Sequence, residues 1–169
     1  MKALLFLVGL SVSIAVAQAQ SSFTVMLSGA EEFPANNSPA TGSGTLTLNP
    51  NNSLTYNITY SGLSGDWSAN HIHGPAGRGT NASVIFTLNH TPSGSTHAGT
   101  LSGTTPILTA PQISALQNEF WYVNIHSTPN FAGGEIRGQI VPVPEPSTLA
   151  LLGLGAGSVG WWIRRRRRN

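Results

Sequence analysis

An all-β domain is what this sequence predicts, on three observations. Apolar and polar residues alternate with period two through several short runs, clusters of Gly, Pro, Asn and Ser punctuate those runs, and no long stretch keeps a helical period. Residues 23–27 open the series, and the following loop, Pro34-Ala35-Asn36-Asn37-Ser38-Pro39, holds prolines and asparagines that a strand ladder rejects. Residues 45–49 set Leu46 and Leu48 against Thr45 and Thr47, and Pro50-Asn51-Asn52 turns the chain into the clearest strand, 53–61. There Leu54, Tyr56, Ile58 and Tyr60 face one way and Thr55, Asn57 and Thr59 the other, so one face is core. Residues 70–74, 83–88, 98–102, 120–127 and 135–141 continue the pattern and bring the total to about eight strands. Thr109-Ala110-Pro111-Gln112 combines a capping-box pair with a first-turn proline, predicting one short helix over 111–118 that buries Ile113 and Leu116. A lone sheet leaves its apolar face wet, so the expected architecture is a Greek-key-like β-sandwich or barrel.

The two ends of the chain carry a different chemistry. Lys2 precedes an apolar run over residues 3–16, and Ala17-Gln18-Ala19 supplies a small-x-small cleavage pattern. Residues 1–19 are therefore expected to be a signal peptide cut by signal peptidase after Ala19. At the other end Pro144-Glu145-Pro146 precedes an uncharged stretch, 147–163, that includes Trp161 and Trp162 and runs into Arg164, Arg165, Arg166, Arg167 and Arg168. A transmembrane helix over 147–163 reaches roughly 25 Å, near the lower limit for crossing a bilayer. The arginines are drawn to anionic cytoplasmic lipid and hold 164–169 inside, which leaves everything before Pro142 outside. This arrangement, over residues 142–169, resembles the PEP-CTERM sorting signal. The resemblance implies an inner-membrane intermediate, processing by the membrane protease exosortase, and release to the cell surface or an exopolysaccharide matrix, as in biofilm-forming Gram-negative bacteria.

The whole chain has a net charge of +2 and an isoelectric point near 9.5, but most of the basic groups sit in the C-terminal tail. Between residues 20 and 142 two arginines, Arg78 and Arg137, stand against five acids, Glu31, Glu32, Asp66, Glu119 and Glu135, a balance of −3. Two arginines do not neutralise a phosphate backbone, and nucleic-acid binding is excluded. The chain has no cysteine, so its stability rests on apolar packing, with a metal as the other available support. The roughly 120 residues between the targeting segments suffice for one domain with one core.

Within that domain His71-Ile72-His73-Gly74-Pro75 places two imidazoles at i and i+2, on the same face of a strand. In Trp121-Tyr122-Val123-Asn124-Ile125-His126 the apolar Val123 and Ile125 point inward, which turns Asn124 and His126 outward. Glu135, Arg137 and Gln139 alternate with the apolar Ile136 and Ile140 and share that outer face if the strands are neighbours. Three imidazoles from His71, His73 and His126, completed by Glu135 or water, suit Zn²⁺ or Cu²⁺. In the alternative these histidines hydrogen-bond to Glu135, Asn124 and loop backbone and fix the loops beyond their strands. The sequence leaves both open: ring nitrogens within about 4 Å of one common point favour the metal, wider scatter the scaffold.

Other constellations are weaker. His90 and His97 lie in loop-like, solvent-facing surroundings and do not supply a second metal site. Glu31 and Glu32 point to opposite sides of an extended chain, Glu32 being placed to pair with Arg137, and Asp66 is the only aspartate. No catalytic residue is assigned, and the domain is read as non-enzymatic.

The segments Leu27-Ser28-Gly29-Ala30-Glu31-Glu32-Phe33-Pro34, His71-Ile72-His73-Gly74-Pro75-Ala76-Gly77, Tyr122-Val123-Asn124-Ile125-His126 and Gly133-Gly134-Glu135-Ile136-Arg137-Gly138-Gln139-Ile140 resemble the CHRD domain over residues 23–141. The resemblance implies a fold and a surface location and brings no agreed activity. A looser similarity, the His-x-His strand with a late Gly-Gly segment, is to copper-zinc superoxide dismutase, and is one of analogy alone. The expectation is an exported surface or matrix protein with a structural or binding role. The alternative is a metal-binding domain or metal-dependent enzyme.

Overall fold

The computed structural model describes residues 21–144. The expected signal peptide, the apolar segment 147–163, and Glu145, Pro146 and the terminal arginines lie outside the described residues. Ten strands are present: β1 (Ser22–Ser28), β2 (Thr41–Leu48), β3 (Leu54–Ser61), β4 (Asp66–His73), β5 (Val84–Thr87), β6 (His90–Pro92), β7 (Gly99–Thr104), β8 (Tyr122–Thr128), β9 (Phe131–Gln139) and β10 (Val141–Pro142). Among the described residues one α-helix, α1 (Ala110–Gln117), precedes β8, and its first turn is closed by the Thr109 backbone N–H donating to Gln112 Oε1 at 2.8 Å. Leu116 is its buried residue, and Ile113 packs partly buried against the core.

Alternation sets each strand's inward face. In β3 the residues Leu54, Tyr56, Ile58 and Tyr60 are buried and the residues between them exposed. Phe23, Val25 and Leu27 of β1, Leu46 of β2, Leu101 of β7, Ile72 of β4, Val123 and Ile125 of β8 and Ile136 of β9 join them in one core. β8 differs, because its outward residues Tyr122, Asn124 and His126 are buried as well. That face is buried beneath chain from outside the strand, since the loop residue Ala82 donates its N–H to Tyr122 Oη at 3.0 Å.

Of the two expected architectures, β-sandwich or barrel, the described residues form the curled one rather than two separate sheets. The strands form one antiparallel sheet in the order β5-β4-β8-β9-β1-β2-β3-β7-β6, with β10 alongside β1. The two halves join where Ser28 of β1 pairs with Arg137 of β9, so the ladder continues where a sandwich would break it. The sheet curls into a half-barrel, since its edge strands β5 and β6 are only Leu88 and Asn89 apart in the chain. Leu88 donates its backbone N–H to Asn70 O, and Trp67 of β4 stacks on His90 of β6 with ring centroids 3.8 Å apart.

Gly138 marks the tightest point of the β1–β9 seam. A Cβ there would stand 2.1 Å from the backbone oxygen of Met26. Gly138→Ala must therefore push the strands apart, and we expect a loss of about 3 kcal/mol, a fall in melting temperature of roughly 10 °C. A thermal melt within about 2 °C of the parent would contradict this packing of the seam.

Candidate metal centre

The β4–β8 ladder brings the three predicted histidines together. His71 and His73 project from the same side of β4, and β8 pairs with β4 so that Asn124 lies opposite His71 and His126 opposite Ala69. The imidazoles of His71, His73 and His126 then gather with ring centroids 5.4, 5.1 and 6.2 Å apart. One nitrogen from each ring lies within 4.8 Å of the others, so all three fall within about 2.8 Å of a common point. That meets the distance condition for a metal site.

Two of the rings are oriented from behind. His73 Nδ1 lies 2.9 Å from the carbonyl of Ala82, and His126 Nδ1 lies 3.0 Å from the carbonyl of Ala132. A carbonyl only accepts, so each Nδ1 carries the proton and each Nε2 presents its lone pair, the arrangement by which backbone carbonyls orient metal-ligating histidines. His73 Nε2 is buried and has no hydrogen-bond partner. His126 Nε2 meets His71 Nδ1 at 3.2 Å, a contact in which His71 supplies the proton that a metal would replace.

Burial, aided by neighbouring charge, favours the neutral form of these rings. Burial lowers the pKa of His71, and the neighbouring His126 and His73 lower it further. Burial also lowers His73, with His126 and Arg137 adding to the effect against the Ala82 hydrogen bond. In His126 burial outweighs the bond to Ala132. Neutral imidazoles are the ligand form.

Of the two groups expected to complete the shell, Glu135 or water, Glu135 lies outside the group of potential ligands formed by His71, His73 and His126. It is fully buried, and its Oε1 accepts from Ser38 Oγ and from the Ser64 backbone N–H, both at 2.6 Å, while Ser127 Oγ bonds Oε2. The scaffold reading is met in part, since His73 and His126 do bond loop backbone, but those bonds go to Ala82 and Ala132 rather than to Glu135 or Asn124.

Arg137 is 1% exposed and stacks on Tyr122, its guanidinium carbon 3.4 Å from the ring centroid. Tyr122 in turn lies parallel to His73, with centroids 5.0 Å apart. Alternation with Ile136 is the sequence signal that puts Arg137 on the outer face, whereas Tyr122, two residues before Asn124, is not among the residues expected there. Arg78 bonds Glu31 at the surface. His90 proves to be a packed residue, held between Trp67 and Tyr60 Oη, the latter at 2.7 Å, while His97 bonds the carbonyl of Leu63 at 2.6 Å.

Glu32, 8% exposed, makes no ion pair with Arg137; burial pushes its carboxyl up to about 7 against the pull of that arginine. Its Oε1 and the Oδ1 of Asn124 are buried without hydrogen-bond partners, which favours the protonated acid. Because the folded value is raised above 4.5, the associated stability is complete below about pH 4.5 and is lost as pH rises through about 7. Glu32→Gln is expected to gain on the order of 3 kcal/mol over the parent near pH 8 and nothing near pH 4. Urea unfolding at both pH values checks this, and equal increments at the two would count against it.

The fold and the site define an all-β domain whose half-barrel carries a three-histidine cluster on one face. Over residues 23–140 the sequence matches the CHRD domain, and the chain belongs to that family. Residues 142–168 match the PEP-CTERM protein-sorting motif, the mark of an exported, exosortase-processed surface protein. Comparison with curated proteins and with solved structures found no match.

Proposed function

We propose that this chain is a non-enzymatic surface protein whose CHRD domain holds one zinc or copper ion on His71, His73 and His126 within the extracellular, exopolysaccharide-containing matrix. The observation that carries the reading is the orientation of the cluster: two Nδ1–H groups are held by carbonyls, and a buried Nε2 lacks any partner. A hydrogen-bonding strut has no need of a second nitrogen left unpaired in the interior, whereas a ligand does.

The test is to strip the purified protein with a chelator, offer Zn²⁺ or Cu²⁺, remove the excess and count the metal. One ion per chain is expected, with the melting temperature raised by binding worth about 2.7 kcal/mol at a hundredfold excess over Kd. Lowering the pH below the ordinary histidine value of 6.5 should release the metal, since protons compete for the same lone pairs. Retention of no metal would leave the histidines as struts for the loops bearing Ala82 and Ala132.

A further inference from the structure

The charge around the cluster suggests what completes it, on the assumption that the three histidines do hold a metal. All three ligands are neutral, so a bound dication keeps its full double charge. Among the described residues no carboxylate belongs to the group of potential ligands, which consists of His71, His73 and His126 alone. Glu135 is bonded to Ser38, Ser64 and Ser127, and Glu31 to Arg78, while Glu32, pushed up to about 7 by burial, lies outside the group of potential ligands. Arg137, buried behind Tyr122, adds positive charge on the same side and acts on His73.

Coordination chemistry leaves a position to fill. Zn²⁺ takes four ligands, and a site with three from the protein keeps one place for an outside group. The opening is on the His71 side, because His71 is half-buried whereas His73 and His126 are buried. An uncompensated dication opening to solvent at one position selects a small, hard anionic donor over a neutral one.

We propose that the metal-loaded domain binds an exogenous carboxylate at the position beside His71, so that acidic groups of the surroundings are captured through the metal. Such a carboxylate bonds the metal directly through one oxygen and displaces a water molecule. The balance of −3 between residues 20 and 142 gives the metal-free domain no net electrostatic attraction for acids.

The test uses Co²⁺- or Cu²⁺-loaded protein, whose visible spectrum reports the ligand set. Acetate should shift the spectrum saturably with Kd on the order of 1 mM, and galacturonate should do the same at lower or equal concentration. Glucose should leave it unchanged. Protein that takes up no metal refutes the parent reading. Protein that loads stoichiometrically but has a spectrum indifferent to acetate and galacturonate refutes this inference alone. A spectrum that responds to pH but not to carboxylates would also overturn it, since the fourth ligand would then be hydroxide.

Discussion

Replacing His73 by alanine is expected to weaken zinc or copper binding by at least about 100-fold and to abolish the rise in melting temperature on metal addition. The substitution removes the ligand atom that is buried without a partner. It also removes the bond to Ala82 O and the stacking on Tyr122, so the metal-free protein should lose about 1–2 kcal/mol. The two effects separate cleanly by calorimetry with and without metal. His126→Ala should behave in the same way, because its Nδ1 is held by Ala132 just as that of His73 is held by Ala82. Either variant keeping the parental response to zinc would show that the cluster does not coordinate.

Glu135→Ala is expected to destabilise the described domain by about 4 kcal/mol. This carboxylate ties three separate parts of the chain together: Ser38 in the loop after β1, Ser64 between β3 and β4, and Ser127 in β8. Removing it leaves the buried Ser127 hydroxyl, the half-buried Ser38 hydroxyl and the Ser64 N–H without their acceptor. Burial alone would raise its pKa, but the hydrogen bonds from Ser127, Ser38 and Ser64 outweigh burial and lower it below 4.5. The sign follows: its stabilisation is present above about pH 4.5 and is lost as pH falls through the depressed folded value. The parent should therefore lose stability in acid while Glu135→Ala, already weakened, loses less. Equal acid sensitivity in the two proteins would contradict the clamp.

Strand alternation made most of this structure legible. The run over 53–61, read as one core face, is β3, and the turn at Pro50-Asn51-Asn52 sets Leu48 opposite Leu54 as a hairpin requires. Strand starts were harder. β2 begins at Thr41 rather than Thr45 because Gly42 and Gly44, which read as loop, are demanded by close packing: a Cβ on Gly44 would meet Asn57 O at 2.3 Å. β4 begins at Asp66 rather than Asn70, since Asp66-Trp67 after a glycine looks like a turn. β6 and β10 are too short to carry a period.

The three histidines were readable because i, i+2 spacing and core alternation act within one strand at a time. What the sequence could not give was the neighbour relation of β4 and β8, on which their convergence depends. The carbonyls of Ala82 and Ala132 had no residue signal at all, being backbone groups placed by loops. Glu135 lay on the right strand with the wrong partners, because its donors come from positions as far as 97 residues away.

The most direct measurement is X-ray absorption on the zinc- or copper-loaded protein. The expected spectrum shows three imidazoles, with nitrogens at about 2.0 Å and their outer-shell scattering, and one oxygen neighbour completing the site. A first shell made only of oxygens, or one with fewer than two imidazoles, would contradict the assignment of His71, His73 and His126 as a metal centre.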